Sequence, residues 1–350
     1  MTEIRVSASR DYSVLIGAGL LARCGELAAP LIRGRRAVVC AGEKVFPLYG
    51  ETVLQSLRKA GFEADACVYP AGEGAKTPET LVYIINKLAA RGLTRADAVF
   101  ALGGGVTGDM AGLAAALYQR GIACVQLPTT LLAAVDASVG GKTAVNLPAG
   151  KNQMGVFSQP GLVLCDTDAF CTLPAAVMTE GWAEVVKYAF LREGPLQRLL
   201  QENEPAAKLE EIVAACVAIK RDLVQADERD TGERQLLNFG HTVGHAVEAC
   251  SGYTWYHGMA VAVGMAVMTR ACRALGLCDA ACEEELSALL RKFGLPDRCP
   301  YGARELLDAT RADKKRAGER ITLVQPKRFG ECVLNETDFD ALGEILALGL

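Results

Sequence analysis

Ala98-Val-Phe-Ala-Leu-Gly-Gly-Gly-Val-Thr-Gly-Asp109 is the stretch that decides the fold. Its first five residues form an unbroken apolar run, too short for a helix and right for a strand buried on both faces. The glycines of Gly103-Gly-Gly-Val-Thr-Gly-Asp109 follow at once, and an alanine-rich helical pattern follows them. The chain therefore passes from strand to tight turn to helix. Working outward, Arg36–Cys40, Ile122–Leu127 and Leu162–Cys165 read as further strands, and Val45–Ala60, closed by Gly61, as a helix. Thr77-Pro78 opens another helix, with Thr77 as N-cap and Pro78 in the first turn. Strands alternating with helices in this way predict a mostly parallel α/β sheet.

Past Thr172-Leu-Pro174 the texture changes. Helical patterns run over Ala175–Leu191, Ala206–Ala226, Phe239–Cys250, Gly258–Leu275 and Ala281–Phe293. The expected organisation is a Rossmann-like α/β domain over 1–171 and an all-α domain over 172–350, with the active site in the cleft between them. There is no low-complexity linker and no internal repeat.

Composition narrows the function. With 350 residues, 51% hydrophobic, and a mean hydropathy of +0.19, the chain can bury a large core. No apolar run reaches the roughly 18 residues of a membrane helix, and Met-Thr-Glu-Ile-Arg-Val-Ser lacks a signal-peptide pattern. The thirteen cysteines include no Cys-x-x-Cys pair, which fits buried thiols in a reducing cytoplasm better than disulfides. A net charge of −4 argues against a nucleic-acid surface, but local cations can still bind a small anion.

The only histidines, His241, His245 and His257, fall within one short stretch. Neutral imidazole is the commonest ligand for zinc-like metals and the usual proton carrier near neutral pH. His241 and His245 share a helix face, with Glu248 one turn on. No carboxylate sits between the pair, so a third ligand must come from elsewhere. Glu180-Gly-Trp-Ala-Glu184-Val-Val-Lys187-Tyr188 offers one. Glu184 and Lys187 lie on nearly one helix face in an apolar surround; they form either an ordinary surface pair or the buried acid of a Glu-His-His site.

Two further clusters suit anions. Backbone N–H groups of the Gly103–Asp109 turn and the helix start behind it can cradle a phosphate, and Pro70-Ala-Gly-Glu73-Gly-Ala-Lys76-Thr can add a carboxylate for a ribose and a cation. Asp136-Ala-Ser-Val-Gly-Gly-Lys142-Thr-Ala-Val-Asn146 and Gly150-Lys151-Asn152-Gln153 bring lysines and an Asn into glycine-bearing loops. Lys220 shares a stripe with Val213, Val217 and Val224, so it points inward and needs an anionic partner.

Together these motifs resemble the 3-dehydroquinate synthase family of sugar-phosphate cyclases. The likeness extends from Val14-Leu-Ile-Gly-Ala-Gly to Ile321-Thr-Leu-Val and includes Pro128-Thr-Thr-Leu-Leu, Ala183-Glu-Val-Val-Lys-Tyr188 and Leu237-Asn-Phe-Gly-His-Thr-Val-Gly-His245. The resemblance implies zinc or cobalt on Glu184, His241 and His257, with His245 moved to the proton-transfer side. It implies NAD on Gly105, Val106, Thr107, Gly108 and Asp109, with Glu73, Lys76, Thr129, Thr130, Lys142, Lys151, Phe170 and Thr172. Substrate would meet Asp136, Lys142, Asn152, Lys187, Lys220, Arg234, Asn238, His245 and Lys314, and Arg120 would reach across a homodimer interface.

There are departures from the family pattern. Gly42 stands where the family often has an Asp for the adenosine ribose, Asp230 replaces a Glu and Ala137 a Ser. Met259 stands where Glu is usual, which predicts weaker outer support of His257.

The implied reaction converts 3-deoxy-D-arabino-heptulosonate 7-phosphate into 3-dehydroquinate and phosphate. Transient oxidation by NAD acidifies a C–H bond, phosphate leaves by β-elimination, the carbonyl is reduced again, and ring opening and aldol closure follow. The rivals are another cyclase such as 2-deoxy-scyllo-inosose synthase, an iron-type or glycerol alcohol dehydrogenase, and a non-catalytic NAD-binding module.

Overall fold

A computed structural model describes residues 1–314 and 320–350, the side chains of 312–314 excepted. The chain divides into two compact units, Met1–Leu173 with Lys220–Glu228, and Pro174–Ile219 with Arg229–Leu350.

The first unit is built on a seven-stranded sheet. Its strands are β1 (Thr2–Val6), β2 (Tyr12–Gly17), β3 (Arg36–Gly42), β4 (Glu63–Tyr69), β5 (Ala98–Gly103), β6 (Ala123–Pro128) and β9 (Leu162–Asp166), in the order β1-β2-β9-β6-β5-β3-β4. Every neighbouring pair is parallel except the hairpin β1–β2. β7 (Lys142–Leu147) and β8 (Gly150–Phe157) form a separate antiparallel hairpin. The helices of this unit are α1 (Cys24–Ala28), α2 (Glu51–Lys59), α3 (Pro78–Ala90), α4 (Gly105–Leu117) and the last part of α7 (Leu209–Ala226).

β5 is buried along its whole length. Ala98, Phe100 and Leu102 join a core with Leu54 and Leu57 of α2, while Val99 and Ala101 join one with Leu88 of α3 and Met110 of α4. That two-sided burial is why this strand reads as a continuous apolar run. Burying Phe100 alone contributes about 1.5–3 kcal/mol.

Thr77 caps α3, its hydroxyl oxygen accepting the Thr80 N–H at 3.3 Å, with Pro78 as the first helical residue. Thr77→Ala is expected to cost about 1 kcal/mol, read as a lower denaturant midpoint. An unchanged midpoint would show that other contacts fix this helix start.

The second unit is mostly helical. It holds α5 (Ala175–Leu191), α6 (Pro195–Gln201), the first part of α7 (Leu209–Ala226), α8 (His241–Cys250), α9 (His257–Ala274), α10 (Ala280–Lys292), α11 (Ala303–Lys314) and α12 (Phe339–Gly349). It is not wholly α: an antiparallel pair, β10 (Arg320–Arg328) and β11 (Glu331–Asp338), is added to the expected helices. Trp182 of α5 stacks on Phe293, ring centroids 4.3 Å apart. α8 and α9 pack through glycine: a Cβ built on Gly264 falls 1.9 Å from the Gly240 carbonyl oxygen. Gly240, with φ +78°, also makes the left-handed turn that starts α8. Among the described residues no helix is long and apolar enough to cross a membrane.

Candidate functional site

In the second unit, α5, α8 and α9 bring two acids, Glu184 and Glu248, and three imidazoles together. Glu184 sits mid-helix on α5 and is 1% exposed. His241 and His257 are the first residues of α8 and α9, and their Nε2 atoms lie 3.5 and 3.7 Å from Glu184 Oε1. That oxygen is buried and has no hydrogen-bond partner. A buried, unsatisfied carboxylate oxygen is costly, and a divalent cation between it and two imidazole nitrogens removes the cost. One donor atom from each of the three residues can be chosen so that all lie within 4.8 Å of one another. The donor set, one oxygen and two nitrogens, suits zinc or cobalt. The residues present therefore fit a metal.

Lys187, 1% exposed, pairs with the other carboxylate oxygen of Glu184 and lies over the Tyr188 ring. This is no surface pair; both partners are buried. Burial, and next the Lys187 ammonium, hold the His241 imidazole well below its usual titration range. It is thus kept neutral, as a ligand must be. Burial also opposes charge on His257, but the Glu248 and Glu184 carboxylates together outweigh it and raise that group.

His245 is exposed, with its ring centroid 5.6 Å from that of His241 and 5.8 Å from that of His257. Helical spacing treats His241 and His245 alike. The packing separates them, because only His241 faces Glu184. Glu248 is 2% exposed, and its Oε2 lies 3.2 Å from His257 Nδ1. The sequence placed Glu248 on the right face but did not reveal this partner. Met259 therefore does not leave His257 without an outer acid. Arg234 is fully buried and Asn238 half-buried on the turn before α8. Lys314 ends α11, and its side chain lies outside the described residues.

In the first unit, Gly104 precedes the first turn of α4 and no side chain caps that helix. A Cβ on Gly104 or Gly105 would stand 3.2 Å from Thr130 or Ala137, so the turn is tightly seated. Gly103 O accepts the Thr129 N–H, and Thr107 and Thr129 are buried beside it in sequence and space. The backbone N–H groups of this turn are the ones that suit a dinucleotide phosphate. Val106 packs on the core below.

Asp109 is paired with buried Lys76 at 2.6 Å, and the same ammonium donates to Asn152 Oδ1 at 2.5 Å. Asn152 N–H donates to Asn146 Oδ1, whose Nδ2 donates to Glu73 Oε1 at 2.8 Å. Glu73, Lys76, Asp109 and Asn152 thus form one network, with Asn146 as a link that the motif reading did not single out. Burial pushes the Asp109 carboxyl up, and Lys76 pulls it back. Lys142 begins β7, and Lys151 lies in β8 next to Asn152. Phe170 is buried, and the Thr172 hydroxyl meets the Tyr49 hydroxyl.

Lys220 points inward as its stripe predicts. It is 4% exposed and its Nζ lies 2.8 Å from Asp136 Oδ1 and 2.6 Å from the Asp136 carbonyl oxygen. Arg120 stands apart from these groups. With Arg10, Arg33 and Arg95 it lines a cavity of about 740 Å³ whose lining includes none of the other candidates. Its backbone and that of Gln119 are left-handed, at φ +66° and +54°. At Gly42 a Cβ would make only ordinary contacts with Ala71, so nothing in the packing demands glycine there.

The sequence matches 3-dehydroquinate synthase N-terminal over residues 66–180 and 3-dehydroquinate synthase C-terminal over 181–316. The chain belongs to the 3-dehydroquinate synthase family. It is 42% identical over 366 residues to the 3-dehydroquinate synthase of Xanthomonas campestris pv. campestris (strain 8004), covering 99% of this chain and 98% of that one. Among solved structures it is similar to a 2-deoxy-scyllo-inosose synthase complexed with carbaglucose-6-phosphate, NAD+ and Co2+. There the TM-score is 0.90 at 25% identity, with 100% of each chain covered. A 2-epi-5-epi-valiolone synthase from Streptomyces hygroscopicus subsp. jinggangensis 5008, with NAD+ and Zn2+ bound, gives 0.86 at 30% identity over 98% of each chain. Both of those structures hold a dinucleotide and a divalent ion, the two groups for which this chain has fitting donors.

Proposed function

We propose that this chain is a 3-dehydroquinate synthase, converting 3-deoxy-D-arabino-heptulosonate 7-phosphate into 3-dehydroquinate and inorganic phosphate, and that it uses NAD and a divalent metal ion. The observation that carries the metal part is Glu184 Oε1, buried and unsatisfied between two imidazoles. When bound, NAD supplies a hydride acceptor restored within each turnover, and the ion supplies Lewis acidity at the hydroxyl being oxidised.

The chain's own residues do the rest. Glu184, His241 and His257 hold the ion. Gly105–Asp109, with Glu73, Lys76, Thr129, Thr130, Lys142, Lys151, Phe170 and Thr172, hold the dinucleotide. Lys142 and Asn152 grip the phosphate, and Arg120 of a second copy completes that grip in a homodimer. Lys187, Lys220, Arg234, Asn238 and Lys314 hold the carboxylate and the developing oxyanions, where fixed cations act most strongly. Asp136 orients Lys220 by their ion pair. His245, exposed beside the two imidazole ligands, carries protons between substrate and solvent. In this reading the protein works in the cytoplasm.

The test is phosphate release from the heptulosonate phosphate by full-length protein supplied with NAD and zinc or cobalt. Phosphate should appear with no net NADH. Steady NADH accumulation without phosphate would mark a dehydrogenase instead. The TM-score of 0.90 to a 2-deoxy-scyllo-inosose synthase keeps one rival in view. Phosphate released from glucose 6-phosphate, and not from the heptulosonate phosphate, would decide for that rival.

A further inference from the structure

We propose that Glu248 is the positioning residue that makes His257 a metal ligand. The proposal rests on the metal reading above. An ionised carboxylate can only accept hydrogen bonds. With Glu248 Oε2 3.2 Å from His257 Nδ1, the ring proton is held on Nδ1. The lone pair is then on Nε2, the atom that lies 3.7 Å from Glu184 Oε1. Glu248 is 2% exposed, so its carboxylate is shielded from water at this contact.

The same residue also anchors the loop that delivers the ring. Its backbone oxygen accepts the Ser251 hydroxyl at 2.8 Å and the Tyr253 N–H at 2.7 Å, and Ser251 Oγ accepts the Trp255 N–H. His257 follows two residues later. The carboxylate thus fixes the ring's tautomer and angle while the backbone fixes the approach of α9. The thioether of Met259 cannot take over this task, since it offers only a weak acceptor. The acid that supports His257 in this chain comes from α8.

One competing arrangement uses the same atoms. Donor atoms of His245, Glu248 and His257 also fall within 4.8 Å of one another, so Glu248 could instead be a ligand of a separate ion. A titration separates the two. Full-length protein stripped with a chelator, wild type and the variants Glu248→Gln and Glu248→Ala, is titrated with zinc against a chromophoric competitor and with cobalt while its visible spectrum is followed. NAD affinity is measured on the same samples to show that each variant is folded.

The proposal expects one ion per chain in all three. Affinity should fall about 10–100-fold in Glu248→Ala, as for other residues that orient a metal's histidine. The fall should be smaller in Glu248→Gln, whose amide oxygen still accepts from Nδ1. The cobalt spectrum should change in Glu248→Ala. If Glu248→Ala does not fold, Glu248→Gln, nearly the same shape, carries the test alone. Unchanged affinity and spectrum in the variants would overturn the proposal. So would a second wild-type equivalent that disappears from them while the first is untouched. A wild-type protein that binds no ion would instead overturn the metal reading itself.

Discussion

Glu184→Ala is expected to abolish both the metal content and the turnover of the protein. The carboxylate is the only anionic member of the Glu184, His241 and His257 set, and it is 1% exposed. Two neutral imidazoles alone are a poor substitute for an acid and two imidazoles around a dication. The substitution also takes the carboxylate away from the buried Lys187 ammonium, and breaking a buried pair costs about 3–5 kcal/mol. Stability and metal affinity should therefore fall together. His257→Ala leaves the Glu184–Lys187 pair in place: metal and turnover should go, while the stripped protein loses only the about 1–3 kcal/mol of a Glu248 carboxylate left without its ring partner, less than Glu184→Ala costs. Elemental analysis and phosphate release are the measurements. A Glu184→Ala, His257→Ala double variant that binds no metal yet turns over normally would end the assignment.

Gly264→Ala is expected to damage the same centre without touching it. Its new methyl would lie 1.9 Å from Gly240 O and 2.9 Å from Gly244 N, all backbone of the helix that carries His241. Backbone cannot swing aside as a side chain does, so α8 and α9 must part. Overpacking typically costs about 1–3 kcal/mol, and backbone on backbone lies at or above the upper end. The ring centroids of His241 and His257 are 5.1 Å apart across this contact, so parting the helices also spoils the ligand geometry. The variant should melt earlier and bind zinc more weakly. A Gly264→Ala protein with unchanged melting and zinc affinity would show that the helices are not held by this approach.

The sequence was most legible where burial is complete. β5 is covered on both faces, so its apolar run could hardly be read otherwise. β4 was not read as a strand because it lies at the sheet edge and carries Glu63 and Asp65 among half-buried neighbours. β8 gives a weak strand signal for the same reason carried further, since Gly150–Phe157 is mostly exposed and holds two glycines. β10 and β11 form a two-stranded sheet of their own, with one isolated bridge from Glu331 to Arg192. A strand whose partner is a hairpin neighbour needs no strong apolar signal.

The site divides in the same way. Three histidines in one stretch pointed to a centre, and the valine stripe around Lys220 pointed that side chain inward. Periodicity could not rank His241 against His245, because both lie on one face of α8; the choice depends on where α5 places Glu184. Nor could it find the partner of Glu248, which arrives from the next helix. What spacing alone cannot encode is contact between elements, and both of these facts are contacts of that kind.

His241 and His257, the two proposed ligands, share one further property: each is the first residue of its helix. The peptide dipoles of α8 and α9 therefore end, with their positive poles, beside the same carboxylate. Each such pole is equivalent to roughly half an elementary charge. Both poles favour negative charge at the acid between the two rings. The main chain thus shares with Lys187 the work of balancing a buried carboxylate in metal-free protein.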